Sequence, residues 1–232
     1  ASAERMESRI KALSEFGKNA DGGVDRVAYS AADKAGRAYI ISELKALGLD
    51  VRVDAAANIF ARRNGTNNTL KPILFGSHID SVPGGGNYDG PTGVIAAIEA
   101  IQLLNEAGLT TQHPLDLVVF SNEEGGLVGS LAMTGKLGPD ALGVVNSSGR
   151  SIGDGTNFIG GDIDNIASAK VTPGTHEAFI ELHIEQGGFL DEEGLDIGVV
   201  GGIVGIGWWG VTIEGYANHG GTTQMNNWRD AM

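Results

Sequence analysis

The sequence contains no cysteine. Disulfides, thiolate metal sites and a cysteine nucleophile are therefore excluded, and any metal must be held by His, Asp or Glu. There is also no apolar run near the roughly 20 residues needed to cross a bilayer. With 41% hydrophobic and 19% charged residues, a soluble fold with a sizeable core is expected, away from any membrane. Positive charge is scarce: 16 Lys and Arg stand against 29 Asp and Glu, a formal net charge of −13. That balance argues against nucleic-acid partners and an anionic membrane surface. Most of the acidic excess reads as solvated surface. Two catalytic signatures are missing as well. No Gly-x-Ser-x-Gly elbow is present, which disfavours a serine hydrolase. The Val82-Pro83-Gly84-Gly85-Gly86 loop lacks the Gly-Lys-Ser/Thr ending of a phosphate cradle and does not open directly onto a helix.

What the chain has in excess is glycine. Its 37 glycines in 232 residues are about twice the usual share of roughly 7%. They concentrate at 84–93, 125–138, 153–161 and 198–210, where turns approach a site or domains join. The length allows one large α/β domain, or one domain and part of another. Ile10, Leu13 and Phe16, then Ile40, Ile41, Leu44 and Leu47, have helical spacing, the second set ending at Gly48 as a C-cap glycine. Short strands are expected at 51–53 and 58–61. Ile73 to Ser77 is a continuous apolar run, as in a strand buried on both faces. Val94 to Leu104 predicts a helix closed by Gly108, and Leu115 to Phe120 the next buried strand. This order points to an α/β fold, a mainly parallel sheet flanked by helices. Beyond Gly125 the pattern weakens until Phe179 to Gln186, where a strand would put Glu181, His183 and Glu185 on one face. Further strands are expected at 197–200 and from Trp208 to Glu214.

The chemistry sits where these apolar runs stop. His78 closes one, Asp80 follows two residues later, Asp89 lies in the next loop, Glu123-Glu124 closes another, and His183 sits in the late strand. A lone histidine at such a place is ordinarily a satisfied core residue. Here Asp80, on the same side of a strand, is expected to accept the second imidazole N–H of His78, as around metal-bound histidines. Asp89 would by itself be a turn former, but beside His-x-Asp it becomes a bridging ligand. Adjacent glutamates repel unless positive charge is near, and a metal relieves that while leaving one carboxylate free as a base. His113 and His176 read as surface residues without a role. Two metals about 3.5–4 Å apart share a water, lower its pKa and polarise a carbonyl. Imidazole and carboxylate ligands suit Zn²⁺ but also Mn²⁺, Co²⁺ or Ni²⁺.

Five segments, Gly76-Ser-His78-Ile-Asp80-Ser-Val-Pro, Gly85-Gly-Asn-Tyr-Asp89-Gly, Asn122-Glu123-Glu124-Gly, Glu181-Leu-His183-Ile-Glu-Gln186-Gly and Gly215-Tyr-Ala-Asn-His219-Gly-Gly-Thr-Thr, resemble the hydantoinase/carbamoylase amidases. These comprise N-carbamoyl-L-amino acid amidohydrolases, β-ureidopropionases and allantoate amidohydrolases, within the dinuclear-metal aminoacylase and carboxypeptidase clan. The resemblance implies a zinc-peptidase-like catalytic domain at 1–207 and the start of an α+β lid and dimerisation domain at 208–232. It implies two divalent ions per subunit, zinc first among the candidates. His78 and His183 would hold one ion, Asp89 would bridge, Glu124 would hold the other and Glu123 would be the general base. Gln186 would contact substrate, and His219 would reach across a homodimer to bind substrate and stabilise the oxyanion. The family's further metal-binding His and its carboxylate-binding Arg are expected beyond Met232. Gly125-Gly-Leu-Val departs from the family's Gly-x-Arg-Phe, and Gln224 stands where Pro is usual; both positions face substrate or lid. The expected activity is cleavage of the ureido C–N bond of an N-carbamoyl amino acid or related ureido acid. The alternatives are an aminoacylase or dipeptidase of the same clan, or a truncated, non-catalytic fragment. The start at Ala1-Ser2-Ala3 fits a trimmed chain or one freed of a leader. A cytoplasmic location is expected, with an exported, periplasmic one as the alternative.

Overall fold

The computed structural model describes residues 1–205, 207, 209–229 and 231. They divide into two compact units, Ala1–Gln186 and Gly187–Met232, each taken by itself below. In the first unit, α1 (Ala3–Ser14) starts at Ser2, whose hydroxyl accepts the Arg5 N–H, and α2 (Ala31–Ala46) starts at Ser30, which does the same for Asp33. Each cap satisfies a backbone donor that the first helical turn leaves open. Five strands follow, β1 (Asp50–Val53), β2 (Ile59–Arg63), β3 (Ile73–His78), β4 (Leu115–Phe120) and β5 (Ala178–Ile180), with α3 (Pro91–Glu106) between β3 and β4. They form one sheet in the order β1-β2-β4-β3-β5.

The sheet is flanked by helices as expected of the α/β class, but its pairing is mixed. β3 pairs parallel with β4 and β5, whereas β1–β2 and β2–β4 are antiparallel. Only Asp54 to Asn58 join β1 to β2, too few for the crossover that parallel neighbours need. β4 is buried along its whole length, which is why it reads as an unbroken apolar run. On one face Ile40 and Leu44 of α2 and Ile95, Ile98 and Ile101 of α3 pack with Ile59, Leu117 and Val119. On the other, Phe60, Leu74, Val118 and Phe120 pack with Met133 of α4 (Val128–Thr134). A further helix, α5 (Ile152–Phe158), packs through Ile152 against Tyr29 and Val128.

Register decides where the functional side chains go. His78 pairs with Phe120, so β3 and β4 end level. Phe75 pairs with Ile180, the last pair of β5, and three residues further along each chain the His78 and His183 rings lie 5.9 Å apart. The expected strand over 179–185 is shorter than its alternation suggests: pairing stops at Ile180, and the Glu181 carboxylate accepts the Ser77 hydroxyl at 2.7 Å instead.

The second unit holds α6 (Phe189–Glu192) and one 3-10 turn, Met225–Asn227. The strands expected at 197–200 and 209–214 are not formed among the described residues, and Trp208 lies outside them. A strand exists only with a neighbour to complete its ladder, and here Val199, Val211 and Ile213 are exposed. No helix among the described residues is long and apolar enough to cross a membrane.

Candidate metal centre

Side chains from the end of β3, the loop before α3, the end of β4 and the stretch after β5 meet at the carboxyl ends of the strands, where open α/β sheets place their ligands. His78 is 2% exposed. Its Nδ1 lies 3.0 Å from the Asp80 carbonyl oxygen. A carbonyl only accepts, so Nδ1 is the donor here and Nε2 is the nitrogen left for a cation. His183 repeats this arrangement, with Nδ1 at 2.9 Å from the Ile184 carbonyl. The two rings stack at 5.9 Å between centroids and 27° between planes. Both histidines therefore present Nε2 to the same space.

Asp89 faces that space. Its Oδ2 accepts the Gln186 Nε2–H at 2.7 Å, while its Oδ1 lies 3.1 Å from His183 Nε2. Yet Asp89 Oδ1 is buried without a hydrogen bond. A buried carboxylate oxygen without a hydrogen bond, facing the imidazole nitrogens, is satisfied by a shared positive charge, so the residues present fit a divalent metal. Ligand atoms of His78, Asp89 and His183 all lie within 4.8 Å of one another, as do those of His78, Glu123 and Glu124. His78 is common to both groups, and its Nε2 is 3.7 Å from Glu123 Oε2.

Asp80 plays a part its sequence position does not disclose. Its Oδ1 is 3.7 Å from His78 Nδ1, the nearer contact being its own carbonyl. The carboxylate instead accepts the backbone N–H groups of Glu123 at 3.2 Å and Glu124 at 3.1 Å. One side chain thus ties the end of β3 to the glutamate pair. Gly90 and Gly93 complete the frame. Gly90 has φ +80, and a Cβ there would fall 2.5 Å from the His78 ring; at Gly93 a Cβ would meet the Leu182 carbonyl oxygen at 2.2 Å. Both lie in the glycine-rich stretch 84–93, where the sequence points to a turn approaching a site, and the structure shows what each leaves room for.

The electrostatics follow from this crowding. Burial opposes a charged His78, but Asp80, Glu123 and Glu124 outweigh it and push the imidazole up to about 9. Burial, with Asp89, Glu123 and Asp80 nearby, pushes Glu124 up to about 7 against the pull of His78. Burial also raises Glu123, with Asp80 and Glu181 adding to it and the two histidines opposing. Crowded carboxylates of this kind favour a positive charge among them, as metal-ligand sets do. Beside Glu124 lies a cavity of about 140 Å³ bordered by Val27, Ala28, Val82, Asn122 and Asn146.

The remaining histidines stand elsewhere. His113 Nδ1 donates to the Lys71 carbonyl at 2.8 Å. His176 is not simply a surface residue: it lies 3.3 Å from Asp116, which Arg62 grips through two bonds of 2.7 Å. His219 belongs to the second unit, where its Nδ1 accepts the Gly221 N–H at 3.1 Å.

Comparison with known proteins decides the family. The model of Peptidase family M20/M25/M40 matches residues 74–232. The chain belongs to that family. It is 43% identical to an N-carbamoyl-L-amino acid amidohydrolase of Geobacillus stearothermophilus, over 99% of this chain and 57% of the relative. It is 38% identical to an allantoate amidohydrolase of Bacillus subtilis, over 95% of this chain and 54% of the relative. The crystal structure of a hydantoinase/carbamoylase family amidase from Burkholderia ambifaria superposes with a TM-score of 0.79 at 34% identity, covering 99% of this chain and 57% of that one. The chain thus spans a little over half the length of these relatives. The M20 family and the His, Asp and Glu groups fit divalent metal binding together.

Proposed function

We propose that this chain forms part of a metal-dependent amidohydrolase that cleaves the ureido C–N bond of an N-carbamoyl amino acid or related ureido acid. The observation that carries the reading is the meeting of His78, Asp89 and His183 with Glu123 and Glu124 past the carboxyl ends of β3, β4 and β5. The relatives named for N-carbamoyl amino acids and allantoate supply the substrate class. His78 and His183 would hold one divalent ion, Glu124 the other, and Asp89 would be shared, with zinc first and manganese, cobalt or nickel as substitutes. Such ions, when bound, polarise the substrate carbonyl and lower the pKa of water.

The chain's own groups do the rest. Glu123, raised by burial, takes the proton of the attacking water and delivers it to the leaving nitrogen, a role suited to a carboxylate shifted toward neutral pH. Gln186 positions substrate while its amide steadies Asp89. His219, from the partner in a homodimer, stabilises the oxyanion. Residues 1–207 belong to the catalytic domain in this reading, and 208–232 begin the lid.

A second reading, hydrolysis of N-acyl amino acids or dipeptides, is favoured by the peptidase description of the family. A panel of N-carbamoyl-L-amino acids, N-acetyl-L-amino acids and dipeptides, assayed with metal-loaded protein, separates the two. The ureido substrates should give the highest kcat/KM. Preference for the dipeptides would replace the first reading by the second.

A further inference from the structure

Arg26 lies in the loop before α2 and is only 1% exposed. Its guanidinium bonds go to backbone carbonyls: Nε donates to Ile79 O at 2.6 Å, and Nη1 to Leu13 O at 2.9 Å and Phe16 O at 3.0 Å. Its backbone engages the same stretch of chain. The Arg26 N–H donates to Ser81 Oγ at 3.1 Å, and the Arg26 carbonyl accepts the Ser81 N–H at 3.0 Å. Ile79 stands between His78 and Asp80, just past the last ladder pair of β3. Sheet hydrogen bonds no longer fix the chain there, and Arg26 takes over from them.

Desolvating a guanidinium is costly, and an apolar side chain of similar volume could fill the same space without that cost. An apolar side chain could not grip the Ile79 carbonyl and tie it to the last turn of α1. We propose that Arg26 is a positioning residue for the metal centre, locking the exit of β3 so that His78 Nε2 stands ready for the cation and the Asp80 carboxylate holds the Glu123 and Glu124 N–H groups. The inference rests on the metal-site reading above. Arg26 acts through the backbone of Ile79 and touches neither cation nor substrate.

Co²⁺ is the probe, since its visible spectrum reports ligand geometry and its affinity follows from competition with a chelator. Arg26→Met removes the grip at similar volume. Arg26→Lys keeps the charge but loses the planar fork that reaches three carbonyls. Leu44→Ala, a core truncation in α2 that leaves the Arg26 side chain in place, controls for general destabilisation. Partners that orient metal ligands typically govern affinity on the order of 10–100-fold. Arg26→Met should therefore bind Co²⁺ within that range more weakly, with an altered spectrum. Arg26→Lys should fall at the lower end, and Leu44→Ala should keep both affinity and spectrum. Wild-type affinity and spectrum in Arg26→Met, or in Arg26→Lys if the Met variant does not fold, would overturn the inference alone. An equal loss in Leu44→Ala would overturn it too, by making the effect one of stability. Absence of Co²⁺ binding by the unaltered chain would overturn the metal-site reading and this inference with it.

Discussion

Against burial, the neighbouring carboxylates push His78 up to about 9, and burial with those carboxylates pushes Glu124 up to about 7. A cation must displace their protons, since only the deprotonated forms are ligands. Below these values the protonated groups compete with the metal, and above them they do not. Metal affinity should therefore rise with pH through the window from about 7 to about 9, with net proton release at neutral pH. Calorimetric titrations of Zn²⁺ in buffers of different ionisation enthalpy measure both effects. A pH-independent affinity without proton release would show that these two residues are not ligands. His78 and the Glu123-Glu124 pair were legible in the sequence because they close apolar runs, and Asp89 and His183 were legible from their motifs. Their linkage was not. Asp80 reaches the N–H groups of residues more than forty positions away, and Arg26, between Asp25 and Val27, looks like any loop arginine until Ile79 is seen above it.

Among the elements, β3, β4 and α3 were readable because burial on both faces, or helical periodicity, writes itself into consecutive residues. β5 was readable only in part. Its alternation continues past Ile180, but Ser77 captures Glu181 and the ladder ends there. The short helices α4 and α5 escaped notice, since seven residues with internal glycine give too little periodicity to recognise. The turn from Asp89 into α3 is the element on which the site depends most. Gly90→Ala places a methyl group 2.5 Å from the His78 ring at a φ of +80. Such a backbone costs a non-glycine residue about 1–3 kcal/mol, and the imidazole must move as well. The variant should melt at lower temperature and bind metal more weakly. Metal titration of the folded variant checks this, and unchanged affinity would mean that the ring position does not control the site.

For the molecule as a whole, the proposal assigns His219 to the centre of a partner chain. If His219 serves a partner's centre, inactive His219→Ala and inactive Glu123→Ala chains should regain some activity when mixed as hybrid dimers, measured by ammonia release from an N-carbamoyl amino acid. Hybrids that form and stay inactive would remove His219 from the shared site. The central claim is narrower: adjacent glutamates divide the work, Glu124 as ligand and Glu123 as base. Metal content of Glu123→Gln and Glu124→Gln after dialysis, taken together with turnover of an N-carbamoyl amino acid, tests it most directly. Glu123→Gln should keep its metal and lose about 10²–10⁴-fold in kcat, while Glu124→Gln should lose metal and turnover together. Loss of metal from Glu123→Gln with full metal in Glu124→Gln would contradict the account.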